Sequence, residues 1–288
     1  MGITKAFFFL PAIILLSIFL IYPLLQTIYL SFTSSNGQFI GINNYINVLS
    51  KKEVLNLENF PKPPLGALIH NLLWTFIHLP LSIFLGLIFA VLLRNVKGGT
   101  IIKSIIFTGM VIPLIVGGLL IRFSFESGPG IVPALFQILG VKSLSKNWVA
   151  YPDTALFALI LGSVWLWTGF NLVTYSAALV GIPKELEEAA MTDGANSIQR
   201  FFYITLPLLK PVTLTTTMAT LIFELKTFDI VYIATRGGPG DASMTMALLM
   251  YFYAFRGLDY NSAAVVALFL TLLTLIPAFL MVKQHIRT

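Results

Sequence analysis

Long blocks without a charged side chain divide this chain, and no other feature limits its fold as sharply. Residues 6–50, 63–93, 104–121 and 154–183 contain no Asp, Glu, Lys or Arg. A bilayer hydrocarbon core of roughly 30 Å is crossed by about 20 apolar residues in a helix. Lipid offers no partner to a backbone N–H or C=O, so runs of this kind satisfy their own hydrogen bonds as helices. Six spans are expected, at about 6–30, 68–93, 104–125, 154–180, 211–235 and 260–282, within a single all-α integral membrane unit covering 1–288. Only 10% of the residues are charged, against about 25% in a soluble domain. The net charge of +6 is spread over loop ends, where basic residues set topology and meet anionic lipid. It is not the footprint of a nucleic-acid binder. The chain has no cysteine, which excludes disulfides, thiolate nucleophiles and cysteine-ligated metals. Lys5 followed by an apolar run has the look of a signal peptide. The run continues to about Leu30 without a small-residue cleavage site, so a retained helix is expected.

Pro11 and Pro23 are expected near the two ends of the first span, where a lost hydrogen bond costs least. Ser31 to Gly66, rich in Ser, Asn, Gly and Pro, reads as an aqueous loop. His70 and His78 are eight apart and fall roughly on one helix face. They are expected to be isolated histidines near the interface or packed against a neighbour, not metal ligands. Pro113 with Gly117 and Gly118 predicts a kink in the third span. Arg122 and Glu126 have the spacing of a helical ion pair. The segment 128–153 reads as a loop. Trp165, Trp167, Phe170 and Tyr175 give the fourth span an aromatic side with Asn171 among them. The apolar stretch 242–255 is too short for a full span and reads as interfacial or re-entrant.

The most polar long stretch, 181–211, lies between the fourth and fifth spans. Pro183 suits the first position of a helix, and Glu185, Glu187 and Glu188 would face the positive end of its dipole. Gly194 suits a helix stop, and Asn196 or Ser197 suits the cap of a second short helix ending near Pro207 and Pro211. Two short helices bent at a glycine form a surface suited to being held by a partner. Six spans put both termini on one side. With the termini inside, Lys5, Arg94, Lys97, Lys103, Lys184, Arg200, Lys210, Lys283 and Arg287 lie in the cytosol. Lys51, Lys52, Lys62, Lys142, Lys146, Arg236 and Arg256 then lie outside. Nine against seven favours that orientation only narrowly.

Charges at membrane depth cost a few kcal/mol or more each, and they mark function. Glu224, Lys226 and Asp229 sit on the fifth span, whose start carries Thr213, Thr215, Thr216, Thr217 and Thr220. Lys226 and Asp229, three apart, are spaced to pair. This polar side reads either as a self-neutralising pair near the interface or as the wall of a hydrophilic cavity. No phosphate-binding G-x-x-x-x-G-K-[ST] loop occurs, nor G-x-S-x-G, nor H-E-x-x-H.

The segment E-A-A-M-T-D-G-A at 188–195, followed by F-x-x-I-T-L-P at 201–207, resembles the EAA loop of the membrane subunits of binding-protein-dependent ABC importers. S-F-T at 31–33, G-I-N-N-Y at 41–45, N-L-L-W-T at 71–75 and G-G-P-G at 237–240 are similar to the sugar and glycerol-phosphate branch, the maltose-type, MalF-like subunits. The resemblance covers nearly the whole chain. It implies the six-helix fold of type I importer permeases, a cytosolic coupling helix in loop 181–210, and cytosolic termini in the cell membrane. Carried onto this sequence, Glu185, Glu188, Ala189, Ala190, Asp193, Gly194 and Phe201 would contact the ATPase. Apart from the resemblance, the residues themselves make Glu224, Lys226, Asp229, Trp167 and Asn171 candidates to line the substrate pathway, Glu224 and Lys226 being more charged than the family pattern leads one to expect. The implied partners are a second, MalG-like permease in a heterodimer, an ATPase dimer carrying ATP and Mg, and an extracytoplasmic solute-binding protein. No catalytic residue, cofactor or metal is expected in this chain. Thr192 and Arg236 depart from the usual pattern. The alternatives are a secondary transporter, or a polytopic membrane enzyme using the carboxylates of 185–193.

Overall fold

The computed structural model describes residues 3–58 and 60–287; the side chains of Lys5 and Arg287, read above as topology charges, lie outside that description. The described chain is helical, with a single isolated bridge between Thr33 and Phe39. Helix α1 comprises Ile3–Leu16, a π-helical turn at Ser17–Ile21 and Tyr22–Phe32. Then follow α2 (Asn43–Leu49), α3 (Ala67–Leu92), α4 (Gly99–Val111), α5 (Leu114–Phe125), α6 (Ile131–Ile138) and α7 (Pro152–Val180). The second half contains α8 (Lys184–Thr192), α9 (Ser197–Leu208), α10 (Lys210–Leu225), α11 (Asp229–Ala234), α12 (Met246–Arg256) and α13 (Tyr260–Arg287).

Four helices are long and apolar enough to cross a bilayer: Phe8–Phe32, Ala67–Leu92, Pro152–Val180 and Tyr260–Lys283. Two bent pairs raise the number to six when each counts as one span. The first is α4 with α5, which meet at 103°. Pro113 disfavours the helical region for the residue before it, and Ile112 is extended (φ −69°, ψ 130°). The break therefore falls at the proline, while Gly117 and Gly118 stay inside α5. The expected single span 104–125 is two helices, and the first of them begins five residues earlier, at Gly99. The second pair is α9 with α10, bent by 65°. Pro211 has no N–H for the carbonyl four residues back, so the ladder fails around Leu209. The expected span 211–235 is also broken at its other end. α10 stops at Leu225 and the chain re-enters helix only at Asp229.

Smaller differences have local causes. Pro23 falls inside α1 rather than near its end. The wider π-turn before it closes with Tyr22 N–H on Ser17 O and absorbs the lost hydrogen bond. Residues 131–138, read as loop, form a helix that seats Phe136 on Trp148, with ring centroids 5.8 Å apart.

The architecture is organised around α7. In its most apolar stretch 67% of the residues are buried, against 28% in α3 and α13 and none in α1. Lipid tails are as apolar as leucine, so helices associate there by close packing of small residues and not by a hydrophobic drive. Gly86 of α3 touches α7 so closely that a Cβ would lie 2.4 Å from Asn171 Cβ. Around α7, Leu156, Leu159, Ile160 and Leu166 pack with Trp74, Ile121, Val231, Met246 and Val265. A second cluster at the far end joins Ala90, Leu172, Tyr175, Leu179, Ile182 and Leu209.

Polar side chains fasten the loop after α1 to the bundle. Asn44 Nδ2 donates to Ser31 O at 3.1 Å and Thr33 O at 2.8 Å. Asn261 Nδ2 donates to Leu30 O and to the same Thr33 carbonyl. Asn71 Nδ2 donates to Leu225 O, and its Oδ1 accepts from Met246 N–H at 2.8 Å. Asn44 of N-N-Y and Asn261 of α13 thus hold the end of α1, and the asparagine of N-L-L-W-T holds the end of α10 against the start of α12.

Candidate functional site

The segment between α7 and α10 is built from local signals. Ile182 is buried in the second apolar cluster and roots the segment. Pro183 is extended (φ −56°, ψ 130°) and stands at the cap of α8, one position earlier than expected. Glu185 and Glu187 occupy the first turn, where the helix dipole favours anions. The helix ends in a Schellman motif, in which Gly194 N–H bonds Met191 O at 3.1 Å and Ala195 N–H bonds Ala190 O at 2.9 Å. Gly194 takes φ +81° with open space around it, so glycine is needed for its backbone alone. Of the two cap candidates Asn196 is the one used. Its Oδ1 accepts from Gln199 N–H at 2.8 Å, and Gln199 Oε1 accepts from Asn196 N–H at 2.8 Å, a closed capping box.

Local backbone chemistry thus defines where this segment turns, yet its surface is open. Glu185, Glu188, Ala189, Asp193 and Gly194 are exposed, while Ala190 and Phe201 are half-buried. Apolar side chains are exposed with them: Leu186 at 44%, Met191 at 49%, Ile198 at 69% and Tyr203 at 80%. Sequence reasoning missed one contact here. Arg94, read above only as a topology charge, pairs with Glu187 and donates through Nη2 to Leu179 O at 3.2 Å. The partners lie 93 residues apart, and no local spacing announces them.

The expected pathway residues separate into three places. Glu224 is 2% exposed and His78 fully buried, with His78 Nδ1 2.6 Å from Glu224 Oε1. Neither His78 Nε2 nor Glu224 Oε2 finds a further partner among the described residues. Thr216 and Thr220 are buried on the same face of α10, and Thr220 Oγ1 donates to Asn171 Oδ1 at 3.3 Å. Thr216 and Thr220 thus turn inward against α3 and α7, whereas Thr213, Thr215 and Thr217 are half-buried.

Trp167 lies beside this seam, partly exposed, its ring 5.0 Å from that of Phe223 and 6.2 Å from that of Phe170. Lys226 is exposed and lines a separate groove of about 820 Å³ between α1, α10, α12 and α13, with Tyr251 and Tyr260. The expected Lys226–Asp229 pair does not form among the described residues. α10 stops at Leu225, before both positions, and Asp229 already opens α11, so the three-residue helical spacing no longer applies. Arg122 and Glu126 fail to pair for the same reason, since Glu126 is already extended beyond α5.

His70 is a packed histidine, as expected. Its Nε2 accepts from Leu65 N–H at 3.0 Å, which leaves Nδ1 to donate to Met244 O at 2.8 Å. Among the described residues no three His, Cys, Asp or Glu side chains converge as a metal site.

Comparison with known proteins bears on this geometry. Residues 82–287 match the family of binding-protein-dependent transport system inner membrane components. A probable ABC transporter permease of Pyrococcus horikoshii is 56% identical over 288 residues, covering 99% of both chains. The trehalose/maltose transport system permease MalF of Thermococcus litoralis is 31% identical over 272 residues, 92% of this chain and 88% of its own. Among solved structures, a chain of a bacterial alginate ABC transporter, in complex with an alginate pentasaccharide-bound periplasmic protein, superposes with a TM-score of 0.79. It covers 96% of this chain and 92% of its own at 19% identity, a likeness of fold. The chain belongs to the binding-protein-dependent transport system inner membrane components, the multi-pass permease subunits of ABC importers.

Proposed function

We propose that this permease imports a sugar or related polyol, powered by separate ATPase subunits that grip the segment 181–211. One observation carries the second half of this reading: a segment of two short capped helices presents exposed apolar side chains beside exposed carboxylates. An apolar patch of that kind on a soluble loop marks a protein contact. Glu185, Glu188, Ala189, Ala190, Asp193, Gly194 and Phe201 are its coupling positions. Small Ala189 and Ala190 allow close approach, and the Gly194 bend sets the angle between the two helices. This reading places the segment and both termini in the cytosol. ATP and Mg then belong to the ATPase dimer, a second, MalG-like permease completes the pathway, and a solute-binding protein delivers substrate on the other side. Two states with different contacts are enough for transport, and no chemical step is needed in this chain.

The substrate class is supported by the half-open aromatic corner of Trp167, Phe170 and Phe223, since ring faces stack on sugar faces. Asn171 and Glu224 lie on the same two helices as that corner, while Lys226 and Asp229 are pathway candidates in a separate region beyond the end of α10. Several relatives, among them the trehalose/maltose permease, carry sugar names. Purification of the tagged chain from its native membrane tests the partner set: a P-loop ATPase and a second six-span permease co-purify. Recovery of the chain alone, with ion-driven uptake or with enzymatic activity of its own, would overturn the reading.

A further inference from the structure

Helix α8 is attached to the bundle at few points. Its apolar root is Ile182, buried beside Leu179, Ala90 and Leu209. Beyond that root the chain passes through the extended Pro183 joint, and every remaining residue of α8 is exposed or half-buried. Among the described residues, the single side-chain hydrogen bond from α8 to another part of the chain is the one from Arg94 to Glu187. A helix held at its root alone can swivel about the joint. A second, off-axis attachment fixes its direction.

Arg94 lies two residues beyond the end of α3. Its guanidinium reaches two elements at once: Nη1 meets the Glu187 carboxylate in the first turn of α8, and Nη2 meets Leu179 O in the last turn of α7. A planar fork with fixed donors is suited to such bridging, and a lysine point charge is not. The pair is shielded, with side chains 24% and 27% exposed. Through Leu179 the strut also touches the apolar cluster that holds the far ends of α3, α7 and α10 together.

We propose that Arg94 is the positioning residue of the coupling segment, tying α8 to the ends of the second and fourth spans so that a displacement of α8 moves both. This rests on the proposed ATPase contact of α8. In variants without the strut, α8 still binds the ATPase, but part of its motion is dissipated as rotation about Pro183 and not delivered to α3 and α7.

The test uses the whole transporter reconstituted in vesicles with its ATPase, partner permease and binding protein. The readout is substrate moved per ATP hydrolysed, which a loss of folded complex alone does not change. R94Q and E187Q are each expected to lower that ratio about tenfold, equivalent to about 1.4 kcal/mol of coupling. The double variant R94Q/E187Q falls no further, because the two side chains act as one unit. R94K recovers only a part. Additive losses in the double variant, or a wild-type ratio in R94Q, overturn the proposal. The ATPase contact is checked separately by cross-linking Ala189→Cys, in a chain that has no cysteine of its own. Cross-linking with an unchanged ratio in R94Q rejects the role of Arg94 and leaves the contact standing. Absence of cross-linking in the otherwise wild-type chain rejects the contact itself.

Discussion

Removal of Glu224 should be costly for a reason that can be read from its surroundings. Its carboxyl and the His78 imidazole are both buried, 2.6 Å apart, between α3 and α10. Glu224→Ala removes one member and leaves His78 with no partner on either ring nitrogen, since Nε2 has none to begin with. Breaking a buried pair in this way costs about 3–5 kcal/mol. For a chain of this size each kcal/mol lowers the melting temperature by roughly 2 °C, so a drop of about 6–10 °C is expected. Glu224→Gln keeps an acceptor for His78 Nδ1–H and loses only the charge-assisted part, about 1–2 kcal/mol, or roughly 2–4 °C.

The double variant H78L/E224M is the sharper arm. It removes both polar groups, fills similar volume with apolar side chains, and is expected to melt at or above the wild-type temperature. The singles and the double are measured by thermal unfolding in detergent on the purified assembly. A Glu224→Ala variant that melts within 1 °C of wild type refutes the buried-pair reasoning. A double variant less stable than either single refutes it equally. If the double is stable yet transports poorly, the pair is kept for transport and not for stability.

Three further outcomes follow from particular contacts. Gly194→Ala forces a Cβ into the left-handed region, at a cost of about 1–2 kcal/mol, with no steric clash to add to it. Uptake should fall while membrane insertion, followed by immunoblot of the membrane fraction, stays unchanged. Gly86→Ala places a Cβ where 2.4 Å separates it from Asn171 Cβ. Overpacking of this kind costs about 1–3 kcal/mol and should lower the melting temperature of the assembly, and wild-type melting would contradict the close α3–α7 contact. Trp167→Ala removes one wall of the aromatic corner and should raise the half-saturation concentration for uptake without changing ATP hydrolysis in the absence of binding protein. An unchanged half-saturation concentration would remove that corner from the pathway.

Much of this architecture was legible because it rests on local physics. Hydrocarbon thickness and the absence of charge mark the spans α1, α3, α7 and α13. Pro183, Gly194 and Asn196 mark the turns of the coupling segment, since each has a backbone preference that acts wherever it stands. What could not be read depends on where helices stop and on which distant helices meet. Lys226 and Asp229 have the spacing of a pair only while α10 continues past Leu225, and it does not. The kink at Pro113 was foreseeable, but the 103° between α4 and α5 depends on how each packs against α7 and α11. His78 and Glu224 are 146 residues apart. Each alone is an ambiguous polar residue in an apolar run, and their meaning appears only when α3 and α10 lie side by side. Arg94 is a similar case, since a topology charge and a structural strut look alike until Glu187 and Leu179 are brought to it.

Cysteine cross-linking decides whether the ATPase grips the segment 181–211. Single cysteines placed at Ala189, Ala190 and Phe201 in this cysteine-free chain are treated with a short bifunctional reagent in native membranes, with and without ATP. A covalent product with the ATPase subunit is expected at all three positions, with a yield that changes with ATP. No product with the ATPase at any of the three, in membranes that still carry out ATP-driven uptake, would contradict that grip.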